Sequence, residues 1–119
     1  MRRLLSSAPT RIDLAGGTVD IWPLYLLHEN AATINLAVDL PATARLVPRS
    51  DPAIDITSVD QGVSIRADSL DALEGIHGLN LIRKIIQYYR PPMGFELTTE
   101  CAAPAGSGLG GSSALAIAL

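Results

Sequence analysis

Four of the six residues from Gly106 to Gly111 are glycine, and the run separates a stretch with strand alternation, Gly94 to Glu100, from an alanine-rich segment beginning near Ser112. Glycine lets the main chain turn and bring its N–H groups close to a ligand, and a helix that starts there adds unpaired donors and the positive end of its dipole. Strand, glycine loop and helix in that order make a cradle for phosphate. The candidate phosphate-binding residues are Pro104, Gly106, Ser107, Gly108, Leu109, Gly110, Gly111, Ser112 and Ser113. The two serines stand where a hydroxyl caps the helix or ligates a magnesium ion that bridges nucleotide phosphates. An ordinary loop with a serine N-cap is the plain alternative, and it needs fewer glycines than this.

Two other phosphate motifs can be weighed against the same residues. Gly106, Gly108 and Gly111 satisfy the G-x-G-x-x-G spacing of a dinucleotide fold, but Ala102 to Ala105 intervene between the strand and the first glycine. The acidic ribose partner of that motif falls beyond Leu119. A Walker A loop is excluded, because no lysine follows Gly111 and the single lysine, Lys84, lies upstream.

The rest of the chain reads as one unit of mixed α/β content, without repeats or a linker. Leu4 to Ala15 has strand character in two pieces around Pro9, which sets Arg11 and Asp13 side by side. Ala31 to Val38 and Thr43 to Val47 look like paired strands, and Ile54 to Thr57 with Val63 to Arg66 form a hairpin across Asp60-Gln61-Gly62. Ser69 to Glu74 is expected to make a short helical turn. A core helix runs from about Leu79 to Tyr89, with Asn80 as a candidate N-cap and Pro91-Pro92 as its stop. The hydrophobic fraction of 48% over 119 residues supports a packed core and rules out disorder. A net charge of −3 without basic runs makes nucleic acid an unfavoured partner, and no apolar stretch approaches the ~20 residues that span a bilayer. One cysteine, Cys101, precludes an intrachain disulfide and suits a reducing, cytoplasmic setting. Its simplest reading is a buried small residue. His28 and His77 lack metal-ligand spacing. The sequence stops at Leu119 inside an apolar segment without a capping residue, so the expectation is that 1–119 is the N-terminal, ATP- and substrate-binding domain of a longer protein, incomplete at its C-terminal end.

Pro104 to Ala114 resembles the phosphate-binding motif of the GHMP kinases, close to P-x-x-x-G-L-G-S-S-A-A. Pro104, Gly108, Leu109 and Gly110 fall in place, Gly111 takes the first serine position and Ser112 the second. By that resemblance Ser112 inherits the magnesium role. Ala8 to Asp20, reading A-P-T-R-I-D-L-A-G-G-T-V-D, is similar to the family's N-terminal substrate motif, with Arg11 and Asp20 at the family spacing. Gly17 and Thr18 replace a Glu-His pair, and the A-G-G form resembles the branch containing heptose 7-phosphate kinase and L-fucokinase.

The resemblance implies an α+β fold like ribosomal protein S5 domain 2, with a left-handed β-α-β crossover, followed in the intact protein by a ferredoxin-like domain. It also implies transfer of the γ-phosphoryl group of ATP, with Mg2+, to a hydroxyl of a sugar or sugar phosphate. Asp20, Gly16, Gly17 and Thr18 then bind the substrate, Arg11 offsets charge on the transferring group, and the catalytic aspartate lies beyond Leu119, leaving these residues alone without activity. The residues themselves leave alternatives open: Asp20 as an N-cap for Ile21 onward, Arg11 as a partner of Asp13, Gly16-Gly17 as a tight turn, Trp22 and Tyr25 as core or as a sugar-stacking pair. Other functions to be distinguished are a non-catalytic nucleotide or metabolite-binding module, a dinucleotide-dependent oxidoreductase, and another acceptor of the family such as mevalonate or homoserine.

Overall fold

A computed structural model describes residues 2–17 and 19–119. The alternating stretches become β1 (Leu4–Ala15), β2 (Ile34–Pro48), β3 (Ile54–Ser58), β4 (Val63–Ala67) and β5 (Phe95–Cys101), and the helices are α1 (Asn80–Tyr89) and α2 (Gly111–Ala118). The strands form a single sheet in the order β1-β2-β5-β3-β4. β5, the last strand in sequence, thus lies at the centre. It pairs antiparallel with β2 and parallel with β3, whereas β1 with β2 and β3 with β4 are antiparallel. A sheet with one parallel pair is not the doubly wound sheet of a dinucleotide fold, which removes the reading suggested by the G-x-G-x-x-G spacing.

Register explains where the core sits. Leu46, Leu97, Ile56 and Ile65 are successive neighbours across four strands, and Phe95, Ile54 and Ala67 form the next row. Phe95, Ile54 and Ile56 are fully buried against the helix layer, where α1 contributes Ile82 and Ile86 and α2 contributes Ala114, Leu115 and Ala118. Small side chains meet at the α2 contact, with Ala8, Ala42 and Ala44 on the sheet, so helix and strands approach closely. The opposite face of the sheet is wet and carries cross-strand ion pairs, as its Asp, Arg and Thr positions require.

Several local expectations change. Ala31 to Val38 and Thr43 to Val47 are not partners: Ile34 to Val38 and Thr43 to Val47 belong to the one strand β2, which runs through Pro41 and pairs with β1 on both sides of it. A register shift opposite Pro9, between Ala8 and Thr10, absorbs the extra β2 residues. Asn80 does not cap α1. The cap position is Leu79, buried and left-handed at φ 46°, and the Asn80 Oδ1 instead accepts a hydrogen bond from Arg83 at 2.6 Å. The helical turn expected at Ser69 to Glu74 is a 3₁₀ turn at Ala72–Gly75, whose Ala72 N–H donates to the Ser69 hydroxyl. Trp22 and Tyr25 are exposed, so core packing does not account for them, and Cys101 is only partly buried.

Candidate functional site

β5 delivers the chain to the glycine loop, and α2 leaves it. Gly106, Gly108 and Gly110 have φ of 76°, 74° and 72°, while Ser107 and Leu109 between them are not in the positive-φ region. Alternating signs of φ curl successive N–H groups toward one side of the main chain, the pattern of an anion-holding nest. A Cβ at Gly106 or Gly108 would meet nothing within 4 Å, so it is the backbone conformation and not crowding that asks for glycine there. Among the described residues the N–H groups of Gly106, Gly108, Leu109 and Gly110 have no main-chain acceptor, whereas that of Ser107 closes a turn onto the Pro104 carbonyl at 3.1 Å. The first N–H groups of α2 add to these free donors.

No serine caps α2. Its N-cap is Gly110, without a side-chain hydrogen bond, and the Ser112 and Ser113 side chains remain exposed beside the loop. The whole stretch from Ala103 to Ser113 lines a cavity of about 490 Å³ together with Asp60, Gln61, Cys101 and Leu115. Asp60 and Gln61, on the β3–β4 turn, are site residues that sequence reasoning missed. Their motif announced only a hairpin turn, and nothing local says that β5 inserts beside β3 and carries the loop to face it.

The N-terminal motif meets the loop at Arg11. Its main-chain N–H donates to the Leu109 carbonyl at 2.9 Å, and Arg11 shares a recess of about 200 Å³ with Thr10, Gly110, Ser113 and Ala114. Its guanidinium Nε pairs with Asp13 Oδ1 at 3.1 Å, the partner expected from strand alternation. Gly16 turns the chain at φ 71°, where a Cβ would collide with the Ala32 carbonyl, and accepts a hydrogen bond from Val19 N–H at 3.4 Å. A Cβ at Gly17 would come within ordinary contact distance of the Asp13 side chain. Asp20 is exposed and does not cap the short 3₁₀ turn at Leu24–Leu26, whose N-cap is Pro23. Neither cavity beside the loop is lined by Gly16, Gly17 or Asp20. Thr18 lies outside the described residues. The structure therefore brings the Ala8 to Arg11 part of the motif to the loop and leaves Gly16, Gly17 and Asp20 outside both cavities.

Fold and loop together define an α+β domain whose glycine loop leaves main-chain N–H groups unpaired. Residues 80–119 match the family described as GHMP kinases N terminal domain. The chain is 30% identical, over 98% of its length, to a D-glycero-alpha-D-manno-heptose 7-phosphate kinase of Campylobacter jejuni, of which it spans 36%. It is 30% identical, over 92% of its length, to an L-fucokinase/L-fucose-1-P guanylyltransferase of Bacteroides fragilis, of which it spans 14%. A crystal structure of a D-glycero-D-manno-heptose 1-phosphate kinase from Bacteroides thetaiotaomicron superposes with a TM-score of 0.81 at 33% identity, covering 96% of this chain and 39% of that one. The fold and residues 80–119 match the N-terminal part of the GHMP kinases, and the two curated relatives named above are sugar kinases.

Proposed function

We propose that the full-length protein containing this chain is an ATP-dependent kinase that phosphorylates a hydroxyl of a sugar or sugar phosphate, and that residues 1–119 form its ATP- and substrate-binding N-terminal domain. The observation that carries this reading is the Arg11 N–H bond to the Leu109 carbonyl, which fastens the substrate-motif strand to the phosphate cradle. Phosphoryl transfer is mostly positioning and charge neutralisation, and a shared main-chain contact holds donor and acceptor elements in one frame. The free N–H groups of Gly106, Gly108, Leu109 and Gly110 and the start of α2 hold the polyphosphate of ATP. Arg11, on turning from Asp13, offsets charge on the transferring group, and Asp20, with Gly16, Gly17 and Thr18, receives the sugar hydroxyls. The base that takes the hydroxyl proton comes from downstream of residue 119.

A magnesium ion fits the cradle. Ser112 keeps its hydroxyl free of a capping role, and a hard cation of this kind takes most of its ligands from phosphate and water, so it needs few from the protein. Among the described residues there is no group of three or more His, Cys, Asp or Glu that could hold a metal ion. When bound it neutralises the phosphate oxygens. We place the protein in the cytoplasm on the ground of its single cysteine; among the described residues no helix is long and apolar enough to cross a membrane.

The test is ADP release by the full-length protein over a panel of hexoses, heptoses and their phosphates, with mevalonate and homoserine alongside. Turnover with a sugar is expected. Turnover with mevalonate or homoserine alone would reject the sugar assignment, and ATP binding without turnover on any acceptor would favour a non-catalytic module.

A further inference from the structure

We infer that Asp60 reads the sugar of the bound nucleotide, accepting hydrogen bonds from its ribose hydroxyls, and that Ser58 holds the carboxylate in place to do so. This rests on the reading of the glycine loop as a polyphosphate site and adds the part of the ligand that the loop does not touch. The β3–β4 turn is built as a rigid support. Ser58 is fully buried, pairs with Thr99 of β5, and its hydroxyl donates to Asp60 Oδ1 at 3.0 Å. The Val59 N–H donates to the Thr99 carbonyl at 2.9 Å, and the Gly62 N–H closes the turn onto Val59 at 3.2 Å. The turn is thereby docked on the same strand that, two residues past Thr99, leads into the glycine loop.

Asp60 is the one charged side chain among the residues that line the 490 Å³ cavity. The loop and the α2 terminus attract an anion, whereas Asp60 brings to the same cavity a carboxylate that repels one. The cavity therefore suits a ligand with phosphate at one end and a neutral, hydrogen-donating group at the other. A carboxylate accepts only, and Ser58 engages Oδ1, which leaves Oδ2 to accept from a ligand's donors. The vicinal hydroxyls of ribose supply two donors. The adenine amino group is flanked by an acceptor nitrogen, and pairing with that edge takes a donor beside an acceptor, which a carboxylate lacks.

The experiment compares binding of magnesium complexes of ATP, 2′-deoxy-ATP, 3′-deoxy-ATP and the triphosphate of purine riboside to the full-length protein and its variants. Wild type is expected to prefer ATP over at least one deoxy analogue by roughly tenfold or more, the size of a hydrogen bond to a charged group. Asp60→Ala is expected to abolish that preference, and Ser58→Ala to weaken it, with Ser58→Thr restoring it. Asp60 is exposed, and Asp60→Asn, which keeps an acceptor for Ser58, guards against a folding artefact. If Asp60→Ala leaves the preference intact, or changes discrimination against purine riboside instead, Asp60 does not read the ribose. A wild-type protein that binds no ATP would overturn the phosphate reading along with this one, whereas ATP binding with an unaltered preference overturns this inference alone.

Discussion

Ser112 illustrates how far residue type and spacing lead at the scale of one side chain. Its place after a glycine run marks it as a cap or a ligand, and both readings use the same hydroxyl. The structure separates them, because the cap position is Gly110, in a left-handed conformation at φ 72°, with no side-chain hydrogen bond to the helix. Ser112→Ala is therefore expected to change stability by less than about 0.5 kcal/mol, below the roughly 0.5–2 kcal/mol of a lost cap. Magnesium-dependent turnover of the full-length protein is expected to fall. A thermal melt and a magnesium titration on the same variant check both parts, and a large loss of stability with normal turnover would return Ser112 to a structural role. Arg11 was legible in a similar way: alternation gave its Asp13 partner, but its main-chain bond to Leu109 was not, since every residue carries an N–H and only tertiary structure decides which one meets the loop.

At the scale of elements, the hairpin β3–β4, the helix α1 and the strand β5 follow from periodicity within a residue or two. Element ends are less legible, since their side-chain signals are overruled by packing. Leu79 takes a left-handed conformation as the α1 cap because burial in the core holds it there, against the preference of a β-carbon-bearing residue. Arg90 closes the same helix at φ 46°, also left-handed, and its ion pair with Asp71 joins two exposed side chains. Glycine adopts that conformation without strain, and an exposed ion pair contributes little. Arg90→Gly should accordingly stabilise the protein by roughly 1 kcal/mol, where Arg90→Ala should not. Urea unfolding midpoints of the two variants make the comparison, and destabilisation by glycine would show that the Asp71 pair outweighs the backbone term. Pro41 interrupts the pattern and divides β2 in two by sequence alone; its continuity depends on β1 pairing past that point.

Across the whole molecule, an ion network ties the far end of the sheet together. Arg49, after β2, binds Asp51 through two hydrogen bonds at 2.7 and 2.9 Å and also reaches Asp55 of β3 and Glu96 of β5. Those bonds, helped by the guanidinium charge, hold the Asp51 carboxyl down at about 2 from its ordinary 3.8. A carboxyl depressed in the folded state stabilises it above the unfolded value and loses that contribution as pH falls from about 4 toward 2. The stability gap between wild type and Arg49→Gln should thus narrow over that window. Unfolding midpoints measured at half-unit pH steps test this, and a gap independent of pH would assign the acid response to other groups. None of this network was visible in sequence, because Arg49, Asp55 and Glu96 come together only through the strand order.

That order also sets a sequence of assembly. β1 meets β2, and β3 meets β4, through chain neighbours, so two hairpins can form as soon as residue 67 is in place. They cannot join, because the seam between them is filled by β5, which begins at Phe95. Until that strand arrives, β2 and β3 present open edges, and closing the seam takes the longest-range pairing in the chain, the kind that forms slowly and leaves nascent protein prone to self-association. The glycine loop follows the closing strand directly, so within residues 1–119 the candidate site is expected to take shape only once the sheet has closed, and its formation to report that closure.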